Sequence, residues 1–378
     1  MRRILPSWFG PLAAVVLVVA LVIPRPSRAE LAASLTQLAQ AGPQPAGQAE
    51  LAAAWQEVSE APIDQLPQVL AAMHDATPVG ENWLRTAADA IAERQLADAG
   101  TLPAALLEEV VSDQSQPPRG RRVAYEWLLR VDDQADDRLL PTMLNDPSLD
   151  LRYDAVAALV ASAEAANDET TKKSLYSEAL AASRNVVQIQ QIADALGELG
   201  ESVDLAELMG FVRQWRLIGP FDNTDLAGFA AEYPPERSLK LDGPVAGKAG
   251  PVAWQEFTTT DKLGVVNLNE AIGNEKLVVA YALATLRPSE DRRVEFRLGS
   301  KNAVKIWING RELAAYEVYH SGEDVDQYVV SADLAADRPN TVLVKVCQNA
   351  KSQPWEQDWQ FQMRVTDHLG GAVDVAVE

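Results

Sequence analysis

Near residue 211 the spacing of apolar residues changes from helical to alternating, and this switch constrains the fold more than any other feature. Before it, Ala and Leu recur at the spacing of amphipathic helices. After it, runs such as Val294-Glu-Phe-Arg-Leu298 put three apolar residues on one face and two charges on the other. That is the period of a half-buried antiparallel strand. One segment cannot satisfy both periods. A chain of 378 residues is therefore expected to be multidomain, with an α part followed by a β part, each long enough to bury its own core.

The α part repeats. Leu66-Pro67, Leu102-Pro103 and Leu140-Pro141 restart the pattern at separations of 36 and 38 residues. Each is followed by a short apolar helix, a turn and a second helix rich in small residues. Proline costs no hydrogen bond in a first helical turn, so it marks where each helix begins. The clearest copy runs Leu140-Pro-Thr-Met-Leu-Asn-Asp146-Pro147 and then Leu151-Arg152-Tyr-Asp-Ala155-Val-Ala-Ala-Leu159. A looser pair joins Ser174–Ala182 to Val187–Leu199. A fixed period of this length is the mark of stacked helical hairpins. The Leu-Pro, Asp-Pro, Leu-Arg and Ala-x-x-Ala-Leu pattern resembles HEAT repeats, and that resemblance implies an α-solenoid over 51–210, with 30–50 as an N-terminal linker.

In the β part, Asn309-Gly310 separates Val304-Lys-Ile-Trp-Ile308 from Arg311-Glu-Leu-Ala314. This dipeptide favours the two-residue primed turns of hairpins. Trp359-Gln-Phe-Gln-Met-Arg-Val365 alternates, and further strands are expected near 216–218, 253–258, 277–286, 327–331 and 341–346. About eight short strands without helical periodicity predict an antiparallel sandwich. The runs Val304-Lys-Ile-Trp-Ile-Asn309-Gly310 and Asn340-Thr-Val-Leu-Val-Lys345-Val, with Trp215-Arg-Leu-Ile-Gly-Pro-Phe-Asp-Asn223 before them, resemble the galactose-binding-like jelly roll of exported bacterial proteins. The resemblance covers roughly 211–370 and implies a β-sandwich over 211–378. Modules of this kind often bind glycans through loops at one end.

The first 29 residues read as an address. Arg2 and Arg3 precede an uncharged apolar stretch, Leu12–Ile23, and Ser27 and Ala29 fit a cleavage site before Glu30. Twelve residues of helix rise only about 18 Å, short of a hydrocarbon core of about 30 Å. The mature protein is therefore expected to be exported, periplasmic or extracellular and free of the membrane; the alternative is an N-terminal anchor. Cys347, the single cysteine, lies in an apolar strand-like run, which predicts a buried, inert thiol.

Charge excludes one class of partner. The chain carries 54 Asp+Glu against 33 Lys+Arg, a net of −21, and nucleic-acid binding needs clustered cations. The excess lies in the α part, where residues 30–210 hold 30 acids and 11 bases, whereas 211–378 hold 24 and 18. No His-x-x-x-His pair, nucleophile elbow or phosphate-cradling glycine loop occurs, so no catalytic residue is nominated. The remaining candidate is Tyr316-Glu-Val-Tyr319-His320-Ser-Gly-Glu323-Asp324-Val-Asp326. Tyr316, Tyr319, His320 and the loop residue Trp355 can supply aromatic faces and polar groups to a sugar. Equally, Tyr316 and Val318 can be an edge strand, with a solvated turn after them. Glu323, Asp324 and Asp326 are oxygen donors for a structural Ca²⁺, and no other cofactor is expected. The expectation is a non-enzymatic scaffold that binds a glycan or a cell-envelope protein. Its alternatives are an accessory or degenerate glycoside hydrolase and a purely structural envelope component.

Overall fold

Pro67, Pro78, Pro118 and Pro141 each stand in the first turn of a helix or 3-10 turn, where the missing amide would be unpaired anyway. These prolines set the phrasing of the first half. The computed structural model describes residues 28–43, 47–240, 243–319, 322–353 and 357–378. Helices α1 (Arg28–Ala39) and α2 (Gln48–Ser59) come first, then α3 (Leu66–Ala71), α4 (Pro78–Ala99), α5 (Ala104–Ser112) and α6 (Pro118–Leu128). Next come α7 (Ala135–Leu139), a 3-10 turn at Leu140–Thr142, α8 (Leu149–Ala165), α9 (Glu169–Ala182), α10 (Val186–Glu198) and α11 (Leu205–Leu208). Helix α3 packs on α4, α5 on α6, α8 on the 3-10 turn, and α9 on α10, so each Leu-Pro opens a short element that pairs with a longer one.

The segment 30–50, read from sequence as a linker, carries α1, whose Leu31, Leu35 and Leu38 are buried. The leader as far as residue 27 lies outside the described residues. Among the described residues no helix is long and apolar enough to cross a membrane. Alanines line the helix contacts, but the closest approaches are made at glycine. A methyl group on Gly80 would sit 2.2 Å from the Ala39 carbonyl oxygen, and one on Gly120 2.7 Å from that of Leu70. Backbone packs directly on backbone there, which no larger residue permits.

The chain divides into two compact units, one ending at Ala135 and the other spanning Asp136–Glu378. The second holds α8–α11 and every strand. Its strands are β1 (Gln214–Asp222), β2 (Val245–Ala246), β3 (Pro251–Val252), β4 (Gln255–Thr258), β5 (Val266–Asn267), β6 (Val278–Pro288) and β7 (Arg292–Gly299). They continue with β8 (Ala303–Ile308), β9 (Arg311–Tyr316), β10 (Tyr328–Leu334), β11 (Asn340–Gln348), β12 (Gln360–Thr366) and β13 (Val375–Val377). Two short helices, α12 (Pro234–Arg237) and α13 (Leu268–Ala271), interrupt them. One antiparallel sheet runs β4-β1-β6-β11-β8-β9 with β13 beside β6; a second runs β10-β7-β12-β5. Asn309 and Gly310 both have positive φ, 52° and 79°, as a primed hairpin turn requires. The inward residues of both sheets, among them Ala280, Ile306 and Val344 from the first and Phe296, Phe361 and Met363 from the second, form one apolar core.

The other face of the larger sheet is buried too. Leu343, Cys347, Tyr281 and Trp307 point that way and are covered by Phe229 and Tyr233 from the long connection after β1. Burial on both faces explains why β6 and β11 read as almost continuous apolar runs rather than alternating ones. It also traps Lys345, which is 0% exposed. Its ammonium donates to the carbonyls of Phe229 (3.1 Å) and Ala231 (2.6 Å) and to the Glu236 carboxylate (2.9 Å). The Tyr281 hydroxyl donates to the same carboxylate. A lysine has three N–H donors, and all three are used.

Within this unit the helices meet the strands at a defined seam. Ile189, Ala193, Leu205, Met209 and Phe211 form a buried cluster, against which Leu263 and Val325 pack. Arg364, 1% exposed, donates to the carbonyls of Met209 and Gly370 and pairs with Asp326.

Candidate functional site

Antiparallel pairing fixes which strand ends lie together. Gln348 pairs with Val278, which also pairs with Asp222; Cys347 pairs with Ala303, and Val304 with Tyr316. In the second sheet Tyr328 pairs with Leu298, Gly299 with Gln362, and Gln360 with Asn267. The connections 300–302, 317–327 and 349–359 each cross from one sheet to the other. With the chain just after β1 and just before β6, they emerge at one end of the molecule's β part. Every candidate residue from the sequence that the structure describes belongs to this end. Tyr316 closes β9, and Tyr319, Glu323, Asp324 and Asp326 follow it. His320 and Trp355 belong to the same connections but lie outside the described residues.

The floor of this end is a network of amides. Asn302 donates to the Gln348 side chain (2.9 Å) and accepts from the Gln360 backbone (3.0 Å). Gln348 donates to the Gln357 carbonyl (2.9 Å). Asn223 donates to the Gln348 carbonyl (2.9 Å) and to the Tyr319 hydroxyl (3.3 Å). Ser300 donates to the Gln360 carbonyl (2.7 Å), and Lys301 pairs with Asp358. Gln360 in turn donates to one oxygen of Glu323 (2.6 Å). Asn223, Ser300, Asn302 and Gln348 are all buried, so each unspent lone pair or proton among them is costly.

Several groups remain unspent. Asn223 Oδ1, Asn269 Oδ1, Glu323 Oε2, Gln362 Oε1 and Lys276 Nζ are buried without a hydrogen-bond partner among the described residues. All five belong to residues at or near the same ends of the strands, out of eleven such atoms among the described residues. Gln362 alternates with the core residues Phe361 and Met363 and so faces outward from the second sheet, whereas Asn223 meets Tyr319 on the outer face of the larger one. Burial pushes the Glu323 carboxyl above the usual carboxylate range; the bond from Gln360 and the charge of Lys301 only partly oppose it. Burial likewise pulls the Lys276 ammonium down, against the charge of Asp358. The Tyr319 phenol is pushed up to about 12, again by burial.

Two expectations change. Tyr316 does not offer a free aromatic face as envisaged: its ring stacks on Tyr328 with centroids 3.9 Å apart and planes inclined by 10°, and both rings pack against the core. The edge-strand reading describes Tyr316 better. Tyr319 is half-buried against the outer cluster of the larger sheet, with its hydroxyl turned to Asn223. The three acids do not form an oxygen cage either. Asp326 faces Arg364 and Arg297 (3.0 Å), Glu323 faces Gln360, and Asp324 is exposed. Burial alone would raise the Asp326 carboxyl, but the bonds and charge of the two guanidinium groups outweigh it and hold the group below its ordinary range. Among the described residues no group of three or more His, Cys, Asp or Glu is arranged to hold a metal ion.

Sequence reasoning missed Asn223, Lys276, Asn302, Gln348, Gln357, Asp358 and Gln360. Their one shared signal is position: most are polar residues at or just beyond the ends of apolar strand runs. Single amides at strand ends have no spacing that marks them.

No protein-family model and no curated protein matches the chain. Among solved structures it is similar to the PA14 sugar-binding domain from an RTX adhesin, at 16% identity and a TM-score of 0.21, over 51% of this chain and 84% of that one. It is similar to an alpha-xylosidase from Xanthomonas citri at 13% identity and a TM-score of 0.21, over 31% of this chain and 15% of that one. A beta-glucosidase from Kluyveromyces marxianus in complex with glucose matches at 13% identity and a TM-score of 0.27, over 76% of this chain and 36% of that one. The chain thus spans well under half the length of either hydrolase. At such scores these likenesses carry no argument about fold or activity.

Proposed function

We propose that the protein is an exported binding scaffold whose β part, a two-sheet sandwich of the galactose-binding-like kind, takes a glycan at its loop-bearing end. The paired helices before it act as a HEAT-like solenoid that presents the site. The observation carrying this reading is the set of five buried polar atoms, without a partner among the described residues, on residues at the strand ends that three connections join. Four of the five accept hydrogen bonds (Asn223 Oδ1, Asn269 Oδ1, Glu323 Oε2 and Gln362 Oε1) and one donates (Lys276 Nζ). A ligand rich in hydroxyl groups suits that set, because each hydroxyl both donates and accepts. A phosphate or carboxylate, which only accepts, does not. Pairing such atoms on binding recovers the cost of leaving them unpaired, about 1–3 kcal/mol each, which is a source of both affinity and specificity.

The test is retention of the mature chain on immobilised neutral polysaccharides, followed by calorimetry with the oligosaccharide that is retained. Glu323→Gln, Gln362→Leu, Tyr319→Ala and Trp355→Ala should each weaken binding by about tenfold, equivalent to about 1.4 kcal/mol. Equal retention of the wild type and all four variants removes the site from this end of the sheets. Steady release of reducing sugar in the same mixtures assigns the protein to the glycoside hydrolases instead.

A further inference from the structure

A second surface, independent of the sugar reading, lies on the helices of the Asp136–Glu378 unit. Helix α8 packs against the 3-10 turn at Leu140–Thr142 and against α9, and a groove of about 390 Å³ opens beside it. Its floor is apolar: Leu140, Leu144, Ala155 and Leu159 line it. Leu144 and Leu159 are only partly buried against the core cluster of Val156, Ala163 and Tyr176, so they keep apolar surface in water. Ala155 and Ala158 leave the space that a longer side chain would fill. The rim is acidic. Asp137 projects from the first turn of α7 and Glu178 from α9, and among the described residues no cationic side chain lines the groove.

We propose that this groove docks a basic amphipathic segment of a partner protein, with its apolar side chains on the floor and its lysines or arginines at the rim. Charge complementarity selects the occupant. The exposed carboxylates of Asp137 and Glu178, on two different elements, favour cations on the incoming segment, and the apolar floor favours an uncharged stripe between them. A second copy of this chain would bring like charge, since residues 30–210 hold 30 acids against 11 bases. A glycan finds no reason to bind here, because none of the buried unpartnered polar atoms lines the groove.

The experiment is fluorescence anisotropy of the mature chain with a labelled helical peptide about four turns long. The peptide has Leu on one face and Lys on the other; its comparison peptides replace Leu by Ser, or Lys by Glu. The Leu/Lys peptide should bind, and the Ser/Lys peptide should bind at least about tenfold more weakly. The double variant Asp137→Lys/Glu178→Lys changes only exposed side chains, and it should lose the Leu/Lys peptide by a similar factor and gain the Leu/Glu peptide. Ala158→Trp, which fills the groove, should lose both. No binding, equal binding of the Ser/Lys peptide, or unchanged binding by the variants overturns the proposal. Self-association in sedimentation that Ala158→Trp abolishes also overturns it, by giving the groove to a second copy.

Discussion

Replacing Glu236 by alanine should be among the most damaging single changes in the β part. Lys345 has no exposed surface, and its three donors go to Phe229 O, Ala231 O and Glu236. Glu236→Ala leaves a buried ammonium with two carbonyls for company, which costs about 3–5 kcal/mol. It also strips the Tyr281 hydroxyl of its acceptor, adding about 1 kcal/mol. Against a stability of about 5–15 kcal/mol that is a large fraction. With a urea m-value of about 2 kcal/mol/M, the midpoint should fall by about 2–3 M. The double variant Lys345→Met/Glu236→Gln removes both charges, keeps the volume and keeps an acceptor for Tyr281. It should recover about 2–3 kcal/mol of the loss. Since the chain has two units, the reporter must be local: amide hydrogen exchange over β6 and β11, with Phe229–Arg237 as the covering segment. If Glu236→Ala costs less than about 1 kcal/mol, or the double variant is no more stable than the single one, the pair does not hold the connection down and the reasoning fails.

The Asp326 carboxyl is held below its unfolded value of about 3.9 by Arg364 and Arg297. Its contribution is therefore present above that pH and is lost as pH falls through the folded value; hydrogen exchange of the 322–327 segment should rise below about pH 4, and Asp326→Asn should abolish that acid dependence. Glu323 is shifted the other way, so its ionisation costs stability as pH rises above about 4.3. Glu323→Gln should stabilise the protein more at pH 7 than at pH 4, even as it weakens glycan binding; equal effects at both pH values would contradict this. Burial pushes the Cys347 thiol up to about 12. Native labelling at pH 8 should then run about a thousandfold slower than in urea, from the thiolate fraction alone, as a colorimetric thiol assay can follow. Exhaustive chelation should leave glycan retention unchanged, because Asp326 is committed to guanidinium groups rather than to a cation.

What could be read from the residues alone was whatever physics is local. The Asn309-Gly310 turn, the alternation in β7 and the Leu-Pro restarts each depend on neighbours within a few positions, and each is found where the pattern puts it. Strand β12, expected to be half-buried, is buried on both faces because Gln362, Arg364 and Thr366 are covered. The Cys347 thiol is buried, as its apolar run implies. Lys345 shows the limit. In sequence it merely breaks an apolar run, because its partner Glu236 lies 109 positions away and leaves no periodic trace. The site behaves similarly. Its loops could be nominated, since strands must end somewhere and Tyr319-His320 is conspicuous. But the floor is made by Asn223, Asn302, Gln348 and Gln360, brought together only by strand register. Tyr316 could not be assigned in advance, because whether its ring is free depends on Tyr328 across the 317–327 connection.

The seam at Arg364 bears on how this protein can be taken apart. One guanidinium group caps the end of α11 at Met209, holds the Gly370 turn and pins Asp326 in the loop that carries Glu323. Val325 of that same loop rests on the apolar cluster of α10 and α11. A fragment begun at Phe211, where the period of the sequence changes, would keep every strand yet lose both the Met209 carbonyl and that apolar support. The β part is therefore not a cassette to be grafted at the visible boundary. A transplantable module has to start upstream of α10, with the two helices travelling as part of the loop-bearing end they brace.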